Sequence, residues 1–135
     1  MIVADTNLVA TLLLTTSATA WAEAVLAKDA DWTAPALWRF EFKNVLATQM
    51  RVLGLPLDTA IALFEKAEEV MIDPGAEIES GAILRLAYAK KLSAYDAEFV
   101  ALALFLKIKL VTADNGILKA VPEVAVSPEA FAARR

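Results

Sequence analysis

Histidine and cysteine are both absent from the 135 residues. Without them a zinc site built on soft ligands is not expected. A Ser-His-Asp or Cys-His nucleophile is excluded, and so is histidine-mediated ribonuclease chemistry. No disulfide can form, so the redox state of the compartment is unconstrained, and the cytoplasm is the expected location. Any hydrolysis must run on carboxylates, a metal or lysine. Long apolar runs are missing too. No uninterrupted stretch of about 18 apolar residues occurs, so no transmembrane helix is expected. Leu8 to Leu14 is apolar, but no basic segment precedes it, and no signal peptide is expected. Positive charge is in deficit, with 13 Lys and Arg against 17 Asp and Glu, a net charge of −4. A nonspecific nucleic-acid-binding module is more often basic. A nuclease is not excluded by that balance, because a bound divalent cation reverses the local charge.

Apolar residues are plentiful. They make up 59% of the chain, and the mean hydropathy is +0.53. That is ample for one core in one domain over residues 1–135. It exceeds what a small monomer hides comfortably, so some apolar surface is expected to meet a partner.

The chain reads as short strands alternating with longer helices. Ile2-Val3-Ala4 is a buried strand, followed by helix to about Leu14, a break at Thr15-Thr16-Ser17 and helix over 18–28. A turn and short strand lie between Asp29 and Thr33. Pro35 suits the first turn of a helix running to Leu53, where Gly54 stops it. Asp58 is expected to cap a helix over 59–70. Val70-Met71-Ile72 reads as a strand ended by the Asp73-Pro74-Gly75 turn, with helix over 77–90 beyond. Ser93 caps a helix over 94–106. Leu110-Val111-Thr112 and Val124-Ala125-Val126 are further strands, with a turn or short helix at Gly116 and a last helical turn after Ser127-Pro128. Strands this short and this apolar point to an α/β fold: a three-layer domain with a mostly parallel central sheet covered by helices. In such sheets ligands bind beyond the carboxyl ends of the strands.

Four acids fall where that architecture would gather them. Asp5 ends the first strand, and Asp114 follows Leu110-Val111-Thr112. Either could be an ordinary turn or cap aspartate. Asp96 lies third in its helix after Ser93, which alone would read as a capping box. Yet from Ala97 to Leu106 only Glu98 is charged, so the helix is expected to be buried nearly all round. Glu98 points to another face and reads as a structural acid. Glu41 lies opposite Arg39 and Lys43 at 100° per residue, on a second polar stripe with Asn44 and Thr48. A helix with one solvent face needs no second stripe, and an acid there is costly to bury unpartnered. Carboxylates brought together repel one another unless a cation holds them, and hard oxygen ligands suit Mg²⁺ or Mn²⁺. Arg39, Lys43, Lys90, Lys91, Lys107 and Lys109 leave room for a basic patch, although solvated helix surface explains them as simply.

The segments Val3-Ala4-Asp5-Thr6-Asn7, Trp38-Arg39-Phe40-Glu41-Phe42-Lys43-Asn44-Val45-Leu46, Tyr95-Asp96-Ala97-Glu98-Phe99-Val100-Ala101-Leu102-Ala103 and Leu110-Val111-Thr112-Ala113-Asp114 together resemble PIN-domain ribonucleases. The likeness is to the VapC-type toxins of toxin–antitoxin pairs, in the family's order and over essentially the whole length. The resemblance implies an endoribonuclease dependent on Mg²⁺ or Mn²⁺, with Asp5, Glu41, Asp96 and Asp114 as the acidic catalytic and metal-binding site. It implies that Thr112 shapes the Asp114 loop and that Thr6 and Asn7 support Asp5. A homodimer, an RNA substrate (tRNA, rRNA or mRNA) and a cognate antitoxin follow by the same likeness. Asn115 and Gly116 depart from it, because a basic residue is frequent after the last acid. Two rival enzymes fit less well. A haloacid-dehalogenase-like phosphohydrolase wants an Asp at position 7, where Asn7 stands, and a receiver domain wants paired acids near Asp5. The reading from another class is a non-catalytic PIN-like protein-interaction module.

Overall fold

A computed structural model describes residues 1–134. In chain order the elements are β1 (Ile2–Ala4), α1 (Thr6–Leu13), α2 (Thr19–Lys28), β2 (Trp32–Thr33), α3 (Leu37–Leu53), α4 (Leu57–Val70) and β3 (Met71–Ile72). Then follow α5 (Ser80–Lys90), α6 (Ala94–Leu106), β4 (Leu110–Val111), α7 (Asn115–Ala120), β5 (Ala125–Val126) and α8 (Pro128–Ala133). The strands form one sheet in the order β3-β2-β1-β4-β5. Every neighbouring pair is parallel, so the sheet is wholly rather than mostly parallel. Each strand but the last is followed by a helical crossover, which a parallel pair requires.

β1, β2, β4 and β5 are buried at every residue. Such strands must be covered on both faces. α1 packs on α2, α3 and α4, and α2 on α8; α6 lies on β1 and β4, and α5 packs on α6. α3 turns Trp38, Phe42 and Leu46 into the core, a spacing of four that keeps them on one stripe. Phe64 of α4 stacks on both Trp38 and Phe42, at 5.7 and 6.1 Å between ring centres. Gly54 ends α3 at φ 71°, in the left-handed region where glycine pays no Cβ penalty.

Several boundaries differ from the sequence expectation. α4 starts at Leu57 with Pro56 at the cap position, and Asp58 sits inside the first turn without a capping bond. Pro56 has φ −63° and ψ 143°, the fixed extended geometry a proline brings for free. Asp58 is left to favour the positive helix end. α5 starts at Ser80, not 77; Ile78 is drawn instead against two hydrophobic clusters. α6 is buried from Ala97 to Ala103 apart from Glu98, but Leu104 and Phe105 in its last turns are exposed. Among the described residues no helix is long and apolar enough to cross a membrane.

Candidate functional site

β1 and β4 are neighbours at the centre of the sheet, with Ala4 opposite Val111. Their carboxyl ends therefore leave Asp5 and Thr112 side by side, although 107 residues apart. Thr112 is fully buried, and its hydroxyl donates to Asp5 Oδ2 at 2.7 Å. The Thr112 Oγ1 itself accepts from Asn7 Nδ2 at 3.2 Å and from the Asp114 N–H at 3.0 Å. One hydroxyl thus joins the first strand end to the loop that carries Asp114. Asn7 Oδ1 accepts from the Ala113 N–H at 3.3 Å, which closes the loop from the other side.

Asp5 is the cap of α1, and its Oδ1 accepts from the Thr6 N–H at 2.8 Å. The Thr6 hydroxyl reaches across to α3 and donates to Glu41 Oε1 at 2.7 Å. That bond brings Glu41, half-buried, to the strand ends. The rest of the expected inner stripe does not form. Asn44 is exposed, and the Thr48 hydroxyl bonds back to the Asn44 carbonyl of its own helix at 3.0 Å. A threonine hydroxyl satisfied in this way needs no site to face.

Asp96 enters from α6. Ser93 caps that helix by accepting from the Asp96 N–H at 3.0 Å. Among the described residues no bond returns from the Ser93 N–H to the Asp96 carboxylate, so the capping box is half made. Asp114 is exposed and caps α7, with Oδ1 accepting from the Ile117 N–H at 3.0 Å. A Cβ on Gly116 would stand 3.1 Å from that oxygen. Gly116, read in the sequence as a turn residue and a departure from the family pattern, thus gives the Asp114 carboxylate its room.

Asp5 and Asp96 feel the acids around them. Burial pushes Asp5 up from 3.8 to about 6; the Thr112 hydroxyl and the Thr6 N–H work against the rise, and the charges of Glu41 and Asp96 add to it. Burial likewise raises Asp96, the Asp114 charge adds to the rise, and Ser93 opposes it. The structure therefore places all four at the carboxyl ends of β1 and β4, linked Asp5 to Glu41, Asp5 to Asp96, and Asp96 to Asp114. Among the described residues no three of the acids converge closely enough to ligate a single ion as they stand. The donor set itself fits a hard divalent cation: carboxylates only, two of them raised by burial and by mutual repulsion that a positive charge would relieve.

A wholly parallel sheet with acids gathered beyond its central strand ends defines a class, the α/β proteins whose site lies at the carboxyl edge. Within it the chain belongs to the PIN domain family, whose model matches residues 2–124. PIN domains are generally metal-dependent nucleases. The crystal structure of PAE2754 from Pyrobaculum aerophilum is similar in fold. Its TM-score is 0.77 at 20% sequence identity, covering 97% of this chain and 91% of that one. A search of curated proteins finds no match.

Proposed function

We propose that this protein is a metal-dependent endoribonuclease, and the toxin of a type II toxin–antitoxin pair acting in the cytoplasm. The observation that carries the reading is the hydrogen-bonded gathering of acids beyond β1 and β4: Thr112 joins Asp5 to the Asp114 loop and Thr6 joins the same strand end to Glu41, with the Asp96 charge felt at Asp5. Those four side chains would hold Mg²⁺ or Mn²⁺. A bound ion would lower the pKa of its water and polarise a phosphoryl oxygen. A carboxylate oxygen of Asp96 or Asp114 takes the proton from the attacking water. As the water oxygen bonds to phosphorus, the bond to the 3′ oxygen breaks and that oxygen takes a proton from solvent, leaving a 5′-phosphate on one fragment and a 3′-hydroxyl on the other. Thr112, Thr6 and Asn7 do no chemistry; their hydrogen bonds fix where the Asp5 and Glu41 oxygens point. No 2′-hydroxyl is used, so preference for RNA must come from the binding surface.

Two exposed apolar surfaces support the antitoxin and homodimer parts of the reading. A groove between α3 and α4 is lined by Leu46, Met50, Leu57, Ile61 and Phe64, with Lys43, Glu65 and Glu68 at its edge. Leu84, Tyr88, Leu104 and Phe105 stand exposed on α5 and α6. The interaction-module reading draws on one observation, the absence among the described residues of three acids converged on one point. Incubating the purified protein with mixed tRNA and rRNA decides between them. Cutting with Mn²⁺, none with EDTA and none in folded Asp5→Asn is the expected result. An intact RNA pool beside a protein that binds Mn²⁺ would favour the interaction module.

A further inference from the structure

A cleft that the reaction as described does not use, and that none of the four acids lines, is walled in part by α3 and α6, the helices that carry Glu41 and Asp96. It has a volume of about 240 Å³ and lies between the start of α3, the segment before α5 and the first turns of α6; Pro35, Leu37, Glu77, Ile78, Glu98 and Leu102 line it. Leu37 is one helical turn before Glu41, about 6 Å along the α3 axis. Glu98 is two residues after Asp96. A second cleft, beyond the ends of β2 and β3, shares Ala36, Ala76 and Glu77 with it. Together they make a track along the carboxyl edge of the sheet, leading away from the acids.

Two features of the cleft, and one ring that stands outside its lining on the same helix, bear on its occupant. Its walls are apolar at Pro35, Leu37, Ile78 and Leu102. Its Glu98 is half-buried, yet makes no hydrogen bond or ion pair among the described residues. Tyr95 is 64% exposed and precedes Glu98 by three positions on α6, with Leu102 seven positions on, so all three share a helical stripe. A slot of mixed lining with apolar walls, a free acceptor at Glu98 beside the exposed Glu77, and an exposed ring one turn earlier on the Glu98 stripe are the parts of a nucleobase site: a face to stack on and an edge to bond. The volume is below the roughly 300–1,000 Å³ typical of sites for drug-sized ligands, and it suits a single planar ring system. A carboxylate only accepts hydrogen bonds when ionised. Among the bases, guanine offers it the best match, because N1–H and the N2 amino group present two donors side by side.

We propose that this cleft is a nucleobase pocket selecting guanine next to the cleaved phosphate, with Glu98 accepting from N1–H and N2–H and Tyr95 supplying the stacking face. It rests on the nuclease reading given above, and it makes Glu98 a specificity residue rather than a structural acid. The test reads binding without turnover. Isotope-labelled full-length protein is titrated with GMP, AMP, CMP and UMP in the absence of metal, and backbone amide shifts are followed. The phosphate is common to all four ligands and cancels. GMP should shift the amides of Glu77, Ile78, Glu98 and Leu102 and bind about fivefold or more tighter than the others, the range expected for a bidentate base contact. Glu98→Gln presents an amide donor to a donor edge and should erase that preference, while Tyr95→Ala should weaken all four nucleotides. A second variant, Glu98→Ala, guards against a local rearrangement in the first. Equal responses to the four nucleotides would overturn the proposal. So would a stronger response to N-acetylarginine amide, which would mark a protein side chain as the occupant. A guanine preference in a protein that cuts no RNA would keep the pocket and remove the nuclease reading. Metal-dependent cutting with no preference at Glu98 would do the reverse.

Discussion

Asp5 is held in a form its surroundings resist. Its carboxylate is 8% exposed, and burial together with the Glu41 and Asp96 charges raises it from 3.8 to about 6, against the pull of Thr112 and Thr6. An acid raised on folding binds protons more readily in the folded chain than in the unfolded one. Its contribution favours folding at low pH and is lost as pH rises from about 4 through about 6. The shift of about two units corresponds to roughly 3 kcal/mol as an upper bound. Asp96 is raised too and acts in the same direction. In metal-free protein, Asp5→Asn should therefore be more stable than wild type at pH 7 by about 1–3 kcal/mol, with the gap closing toward pH 4. Urea unfolding of both proteins across that range checks it; a gap that is absent or widens toward low pH would remove the account of Asp5. The place of Asp5 at the end of β1 was legible in the sequence, because an acid ending an apolar strand is a local pattern. Thr112 was legible only as a neighbour of Asp114. That its hydroxyl also reaches Asp5 depends on strand pairing, which no local pattern encodes.

Among the elements, α6 combines a cap, a core segment and a site acid within its first turns. Ser93 fixes where the helix begins by accepting the Asp96 N–H, and so sets where the Asp96 carboxylate emerges. Ser93→Ala should cost about 1 kcal/mol of stability and lower the rate of RNA cleavage, since it loosens the turn that aims Asp96. Thermal unfolding and turnover measured together test this; lost stability with unchanged turnover would leave Ser93 a cap and nothing more. The caps that depend on residue chemistry were readable in advance: Ser93, Gly54 and Ser127 all stand where expected. The misplacements have tertiary causes. Ile78 is taken up by packing before α5 can start. In α3, Glu41 does turn inward, but through the Thr6 hydroxyl rather than as part of a buried stripe with Asn44 and Thr48. Helical periodicity places a residue on a face; only packing decides whether that face is wet.

For the molecule as a whole, the strand order does what the sequence could not announce. Alternating short apolar strands and helices revealed a parallel α/β fold. Placing β1 between β2 and β4 is what sets Asp5 beside the Asp114 loop and lets α3 and α6 deliver Glu41 and Asp96 to the same edge. The net charge of −4 then has a local meaning, since part of it is concentrated where a cation would be most stabilised. The central claim is that this edge is a divalent-cation site, and calorimetric titration with Mn²⁺ at pH 6 tests it most directly, run in buffers of different ionisation heat. With Asp5 near its midpoint at about 6, binding should be saturable and should release about half a proton from this group. The release should fade by pH 8, and the affinity should fall about tenfold or more in Asp5→Asn. Mn²⁺ binding of equal strength in wild type and Asp5→Asn, or no saturable binding to the folded wild-type protein, would contradict the account.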